Sequence, residues 1–296
     1  MNWKDEMAER TRQAEQVIQA YLPSEEGYQK HVIEAMNYSM LAGGKRLRPI
    51  FLKEAYRMFG GQEKAVEPFM AAIEMIHTYS LVHDDLPCMD NDEYRRGRKS
   101  TWAAYGEVMA VLAGDGLLTY AFETAAKAFS LSAYPERVGR AIGILAKKAG
   151  ISGMLGGQTA DIEAEENGET GEKLLLFIHE NKTAALIQSS LMIGAVLAGA
   201  SQEEIHKLER VGYLVGVAFQ IQDDILDVTS SLEVLGKQTG SDEKNHKATY
   251  VSQKGLKQAQ EDQKKLSEEA VALISSFAQK NEFLEKLVEQ LVTREK

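Results

Sequence analysis

Cysteine is almost missing from this sequence: Cys88 is the single one in 296 residues. No intrachain disulfide can form and no thiolate metal site can be assembled, which suits a reducing, cytoplasmic setting. Positive charge is also short. Against 44 Asp and Glu there are 34 Lys and Arg, a formal net charge of -10. A broad positive field for nucleic acid or an anionic membrane is thereby excluded, and any anionic ligand must be met locally. Long apolar runs are lacking too. The stretch from Ala184 to Ala200 is interrupted by Gln188, Ser189, Ser190 and Gly194, so it reads as a core helix and not a membrane span. The opening MNWKDEMAERTRQAEQ mixes both charge signs and has no secretory apolar segment.

Proline is scarce as well, with five in the chain, while Ala, Leu, Glu, Lys and Gln abound. Apolar residues return at three- and four-residue spacing, and no run of alternating β-branched residues competes with them. The pattern predicts helices over 4–21, 28–42, 48–59, 63–86, 103–130, 136–150, 172–199, 202–228 and 255–293. Breaks are expected at Gly43-Gly44, Gly60-Gly61, Pro87 to Lys99, Glu166 to Gly171 and Ser230 to Lys247. With no linker, repeat or low-complexity tract, residues 1–296 read as one all-α domain. The amphipathic C-terminal segment has a polar face of mixed sign and is expected to pack on its own domain.

Two aspartate clusters carry the chemistry. In AFQIQDDILDV, Asp223, Asp224 and Asp227 crowd one edge of a helix, where like charges repel. A solvated acidic face is the bland explanation. The apolar flank of Phe219, Ile221, Ile225, Leu226 and Val228 instead implies a partly buried edge, where carboxylates need a cation. The second cluster, HDDLPCMDNDE, ends an apolar helix. On an unbroken helix Asp90 would point about 240° away from Asp84. Pro87 has no N–H and clashes one turn back, so a break there can return Asp90 to the acid pair. Magnesium takes one or two carboxylates together with phosphate oxygens and water, which two such clusters on facing helices would suit.

Basic groups complete the set. Arg95-Arg96-Gly97-Arg98-Lys99 follows the first cluster, and arginine forks grip phosphate oxygens well. AGGKRLRP places Lys45, Arg46 and Arg48 where one helix ends and another begins, a position that favours anions. His77 lies two turns before Asp84 on nearly the same face, with Ser80 between them. Taken singly, His77, Lys182, Thr183 and Lys237 read as ordinary structural or surface residues.

In order along the chain, GGKRLRP, EMIHTYSLVHDDLPCMDNDEYRRG, GMLGGQTADIEAE, HENKTAALI, FQIQDDILD and LGKQTGSDEKNHKATY resemble the short-chain trans-polyprenyl diphosphate synthase family. Bacterial farnesyl diphosphate synthases are the most similar branch. The resemblance implies an isoprenoid-synthase-type helical bundle around a deep central cavity, a homodimer, and magnesium as cofactor. It implies that Asp84, Asp85, Asp90, Asp223, Asp224 and Asp227 hold the metal on an allylic diphosphate. Arg95, Lys182, Thr183, Gln220 and Lys237 would contact that diphosphate. Lys45, Arg48, His77 and Arg96 would bind isopentenyl diphosphate. The implied reaction ionises the allylic C–O bond and joins the fragment to isopentenyl diphosphate, with no nucleophilic triad.

Product length is a finer matter. Tyr79 lies about 7.5 Å deeper than Asp84 along a helix, and in the family an aromatic there, with the two-residue insertion in DDLPCMD, accompanies a fifteen-carbon product. Tyr79 and Ser80 are the chain-length candidates. Glu93, Lys99, Trp102 and Ser241 depart from the family pattern. The alternatives are a geranylgeranyl diphosphate synthase or a silent regulatory subunit of the same fold. A cyclase is disfavoured because it needs no second diphosphate pocket of the GGKRLRP and His77 kind.

Overall fold

Helical periodicity of this kind requires apolar stripes to face one another, and the computed structural model, which describes residues 2–169, 171–229 and 249–292, is built that way. Its helices are α1 (Trp3–Ala20), α2 (Lys30–Met40), α3 (Leu47–Met58), α4 (Val66–Asp84), α5 (Thr101–Tyr105), α6 (Glu107–Ala126) and α7 (Pro135–Ala149). There follow α8 (Met154–Asn167), α9 (Glu172–Ile178), a π-helical segment (His179–Ala184), α10 (Ala185–Ala198) and α11 (Gln202–Thr229). The chain closes with α12 (Tyr250–Lys254), α13 (Leu256–Ser275) and α14 (Glu282–Val292). Between α4 and α5, β1 (Tyr94–Arg95) and β2 (Arg98–Lys99) form a two-stranded antiparallel hairpin.

The hydrophobic stripe of α4 goes all the way round. Phe69, Ile73, Met75 and Ile76 are fully shielded, and the helix packs against α3 and α6. In α10 every residue from Ala185 to Leu197 is buried, against α3, α7 and α11. A helix apolar on all sides belongs at the centre of a bundle, and each large side chain buried there contributes about 1.5–3 kcal/mol. The end of α4 carries Asp84 and Asp85 to the edge of the core, and the π segment that leads into α10 carries Lys182 and Thr183 there.

Four features depart from the sequence expectation. Residues 154–167, which no predicted helix covers, form α8. The helix expected over 103–130 is divided at Gly106, whose φ of 84° ends α5 and starts α6. The helix expected over 172–199 contains the π segment. The helix expected over 255–293 is interrupted between α13 and α14, where Asn281 accepts the Leu284 N–H at 3.0 Å and donates to Glu54 Oε2 at 2.9 Å. That side chain anchors the new helix start to α3. Among the described residues no helix is long and apolar enough to cross a membrane.

Candidate active site

Proline at 87 cannot continue α4, and the chain turns back on itself. Leu86 N–H bonds the His83 carbonyl at 3.1 Å, Met89 N–H bonds Leu86 at 2.8 Å, and Asp90 N–H reaches the Asp84 carbonyl at 2.9 Å. The regular-helix rotation therefore does not apply, and Asp90 returns beside Asp84 as the proline break predicts. Burial pushes the Asp84 carboxyl up to about 6; the Lys182 ammonium opposes this and the Asp90 charge adds to it. Gln158 Nε2 donates to Asp84 Oδ1 at 3.1 Å. Asp85 is buried, which raises its pKa despite Arg95, whose Nε lies 2.6 Å and terminal nitrogen 2.5 Å from Oδ1.

The π segment sets the opposite wall. Its wider turn interrupts the helix that the sequence suggested and presents Lys182 and Thr183 together toward α8 and α11. Glycines permit the approach. A Cβ on Gly157 of α8 would sit 2.2 Å from the Lys182 backbone nitrogen, and one on Gly216 of α11 would sit 2.3 Å from Ala184 Cβ. Across these contacts Lys182 Nζ pairs with Asp161 Oδ2 at 2.5 Å, and the Thr183 hydroxyl donates to Gln220 Oε1 at 3.0 Å. These four residues, with His179, Asp224 and Thr249, line a cavity of about 240 Å³. His179 is buried and stacks on Tyr250, and burial pulls its pKa down to about 4.

On α11, Asp224 is buried and accepts the Tyr250 N–H at 2.7 Å, while Asp223 and Asp227 are half-buried. Asp224 thus ties the start of α12 to the cavity as well as lining it. Among the described residues no three acidic, imidazole or thiol groups converge into a ready-made metal cage. A hard cation such as magnesium takes one or two carboxylates and completes its shell with phosphate oxygens and water, so Asp84, with Asp90 folded back beside it and Asp85 next in the chain, could hold one here. Lys182 joins the two aspartate groups, facing Asp84 electrostatically and sharing the cavity with Asp224.

A second pocket, about 530 Å³, is lined by Gly44, Lys45, Arg46, Arg48, Glu74, His77 and Arg96. It contains all four residues expected at the second diphosphate. Arg46, with a φ of 50°, is turned inward: it pairs with Glu74 at 2.8 Å and donates to the Met40 carbonyl at 2.7 Å. It holds the loop, leaving the others for a ligand. Burial, and then Arg48, Arg96, Arg46 and Arg95, pull the His77 pKa well below its usual value, so this imidazole is neutral at pH 7. Arg48 is likewise lowered by burial, and its Nε has no partner among the described residues.

Tyr79 is buried within the core, and the Ser80 hydroxyl bonds the His77 carbonyl at 2.9 Å. Lys237 and Ser241 lie outside the described residues. Sequence reasoning passed over Gln158 and Asp161 as site residues. Their signal was there in GMLGGQTADIEAE, but it needs α8 and the π segment to be placed first.

A profile of the family described as "Polyprenyl synthetase" matches residues 29–291. The dimethylallyltranstransferase of Fischerella ambigua is 42% identical over 294 residues, 99% of this chain and 84% of that protein. The chloroplastic geranylgeranyl pyrophosphate synthase of Catharanthus roseus is 46% identical over 247 residues, 82% of this chain and 68% of that one. Among solved structures, a geranyltransferase from Helicobacter pylori complexed with magnesium and isoprenyl diphosphate has a TM-score of 0.83 at 33% identity, covering 99% and 97% of the two chains.

Proposed function

This chain belongs to the polyprenyl synthetase family and is a prenyltransferase, and on that premise we propose that it makes farnesyl diphosphate. Isopentenyl diphosphate is joined to dimethylallyl or geranyl diphosphate, with release of pyrophosphate and a proton. One observation carries the reading. A cavity holding Lys182, Thr183, Gln220 and Asp224 and a separate cationic pocket holding Lys45, Arg48, His77 and Arg96 provide for two diphosphates.

Asp84, Asp85, Asp90, Asp223, Asp224 and Asp227 would hold magnesium, which when bound neutralises charge on the departing pyrophosphate. Arg95 and Lys182 exchange their present carboxylate partners, Asp85 and Asp161, for phosphate oxygens of the allylic substrate. Thr183, Gln220 and Lys237 add contacts to the same group. In the second pocket Lys45, Arg48 and Arg96 grip isopentenyl diphosphate while neutral His77 donates a hydrogen bond. As the allylic C–O bond ionises, these fixed cations stabilise the leaving group, and the isopentenyl double bond captures the carbocation. Loss of a proton restores an allylic double bond.

Tyr79, buried five residues before Asp84 on α4, favours the fifteen-carbon product. Identity to a geranylgeranyl pyrophosphate synthase favours the second reading, a twenty-carbon product. A second copy of the chain is the expected partner, since Val108, Val111 and Leu112 on α6 are exposed apolar side chains that a dimer would cover. The decisive experiment incubates the protein with magnesium, isopentenyl diphosphate and each allylic primer, then separates the dephosphorylated products. Farnesol as the main alcohol is expected; no elongated alcohol at all would end the proposal.

A further inference from the structure

The hairpin between α4 and α5 is too short to stabilise itself. Each strand has two residues, paired Tyr94 with Lys99 and Arg95 with Arg98, and the turn places Arg96 and Gly97 at φ 54° and 77°. Positive φ at both positions is the geometry of a tight two-residue hairpin turn, but an isolated ribbon this small does not persist in water. Its position is set from outside. The Tyr38 hydroxyl of α2 donates to the Lys99 carbonyl at 2.8 Å. Its ring carries the Arg98 guanidinium 3.6 Å above the centroid and meets Tyr105 edge-on at 5.2 Å. At the other end the Trp102 indole donates to the Asp92 carbonyl at 2.9 Å, and Ser100 N–H closes the ribbon on Glu93 at 2.8 Å.

What the ribbon carries is unusual in one respect. Arg95 and Arg96 are adjacent in sequence yet serve different places, Arg95 bonding Asp85 and Arg96 bonding the Gly43 carbonyl at the edge of the Lys45, Arg48 and His77 pocket. A shift of the ribbon therefore misplaces both guanidinium groups together. We propose that Tyr38 and Trp102 are positioning residues that lock this hairpin, so that one rigid element delivers an arginine to each of the two diphosphate subsites. The inference rests on the reading of Arg95 and Arg96 as diphosphate ligands. Lys99 contributes through its backbone alone, so an altered side chain at 99 leaves the lock intact.

The test uses Tyr38→Phe, which keeps the ring beneath Arg98 and loses the hydroxyl, Tyr38→Leu, which loses both, and Trp102→Phe, which loses the indole N–H. KM for isopentenyl diphosphate and for the allylic primer should rise together, about threefold in Tyr38→Phe and about tenfold in Tyr38→Leu, with kcat changed much less. Calorimetric titration with inorganic pyrophosphate and magnesium should weaken in the same order without any turnover. Circular dichroism melts separate this from unfolding, and Trp102→Phe serves if Tyr38→Leu fails to fold. Unchanged KM values and pyrophosphate affinity in folded variants would overturn the inference, as would a rise for one substrate alone. Absence of product from the unaltered enzyme would instead remove the underlying functional reading, and the pyrophosphate titration would still report on the lock.

Discussion

Tyr79 and His83 stand one turn apart on α4 with ring centroids 5.9 Å apart and planes inclined by 77°, the edge of one ring toward the face of the other. His83 is held in turn by the Val111 carbonyl at 3.1 Å, and a Cβ on Gly114 of α6 would fall 2.0 Å from its Nε2. The tyrosine is thus packed in one orientation. Tyr79→Ala opens the space behind Asp84, and the main product is expected to lengthen from fifteen to twenty carbons or more. Chromatography of the dephosphorylated products reads this directly; the same chain length would mean that another residue forms the floor.

Asp84 gives a pH signature. Its folded carboxyl, at about 6, lies above the ordinary aspartate value of 3.8, so the folded form holds its proton more tightly than the unfolded chain. That contribution to stability is complete below about pH 4 and is lost as pH rises through 6. Asp84→Asn removes the loss. Without magnesium, the variant should be more stable than the parent by about 1–2 kcal/mol at pH 7.5, allowing for partial solvation, and no more stable at pH 4. Calorimetric melts across pH 4–8 measure it, and an equal gain at both ends would count against the assignment.

Arg46 and Glu74 are both about 3% exposed as a pair. Glu74→Leu leaves the buried guanidinium only its longer contact to the half-exposed Glu15 at 3.6 Å, and the cost is expected to approach, from below, the figure of about 3–5 kcal/mol for a buried ion pair broken on one side. Because Arg46 also anchors the Met40 carbonyl, the loop bearing Lys45 and the start of α3 bearing Arg48 loosen with it. Lower melting temperature and raised KM for isopentenyl diphosphate are expected together. A fall in stability with KM unmoved would separate the buried pair from the pocket.

Lys182→Gln removes a cation from the wall that faces Asp84 and Asp161. Loss of one fixed group that stabilises developing charge lowers kcat by about a hundred- to a thousandfold. Single-turnover rates with geranyl diphosphate should show that loss with little change in melting temperature. A rate within tenfold of the parent would argue that Arg95 suffices.

Magnesium and pyrophosphate should stabilise the protein jointly. At a hundred times the dissociation constant a ligand adds about 2.7 kcal/mol, and for a chain of this size that corresponds to an increase of about 5 °C in Tm. Either component alone should give much less, and chelation should abolish the shift. Equal shifts with pyrophosphate alone would remove the metal from the account.

Much of this molecule is readable along the chain because its causes are local. The stripes of α1 to α4, α7 and α11 follow from apolar spacing, and the return of Asp90 to Asp84 follows from a proline that cannot continue a helix. Other features have no local cause. Helix α8 carries glycines at 156 and 157 and no clear apolar stripe, so it is held by what packs on it, and Asp161 stayed hidden as a site residue with it. The hairpin depends on Tyr38, over sixty positions upstream of Lys99. Asn281 ends a helical period that runs on uninterrupted in the sequence, because its partner Glu54 lies on α3.

The wide turn from His179 to Ala184 holds one residue more than a regular helix accommodates. Each helical residue turns the chain by about 100° and advances it by about 1.5 Å. Deleting a single residue there would restore an ordinary ladder and leave α9 and α10 nearly in line, yet it would remove the bulge that turns Lys182 and Thr183 toward α8 and α11 and carry Lys182 off Asp161. The number of residues in this segment is therefore as binding a constraint as their identities. Inherited change here should be tolerated as substitution, at positions such as Asn181 and Glu180, far more readily than as loss or gain of a single codon.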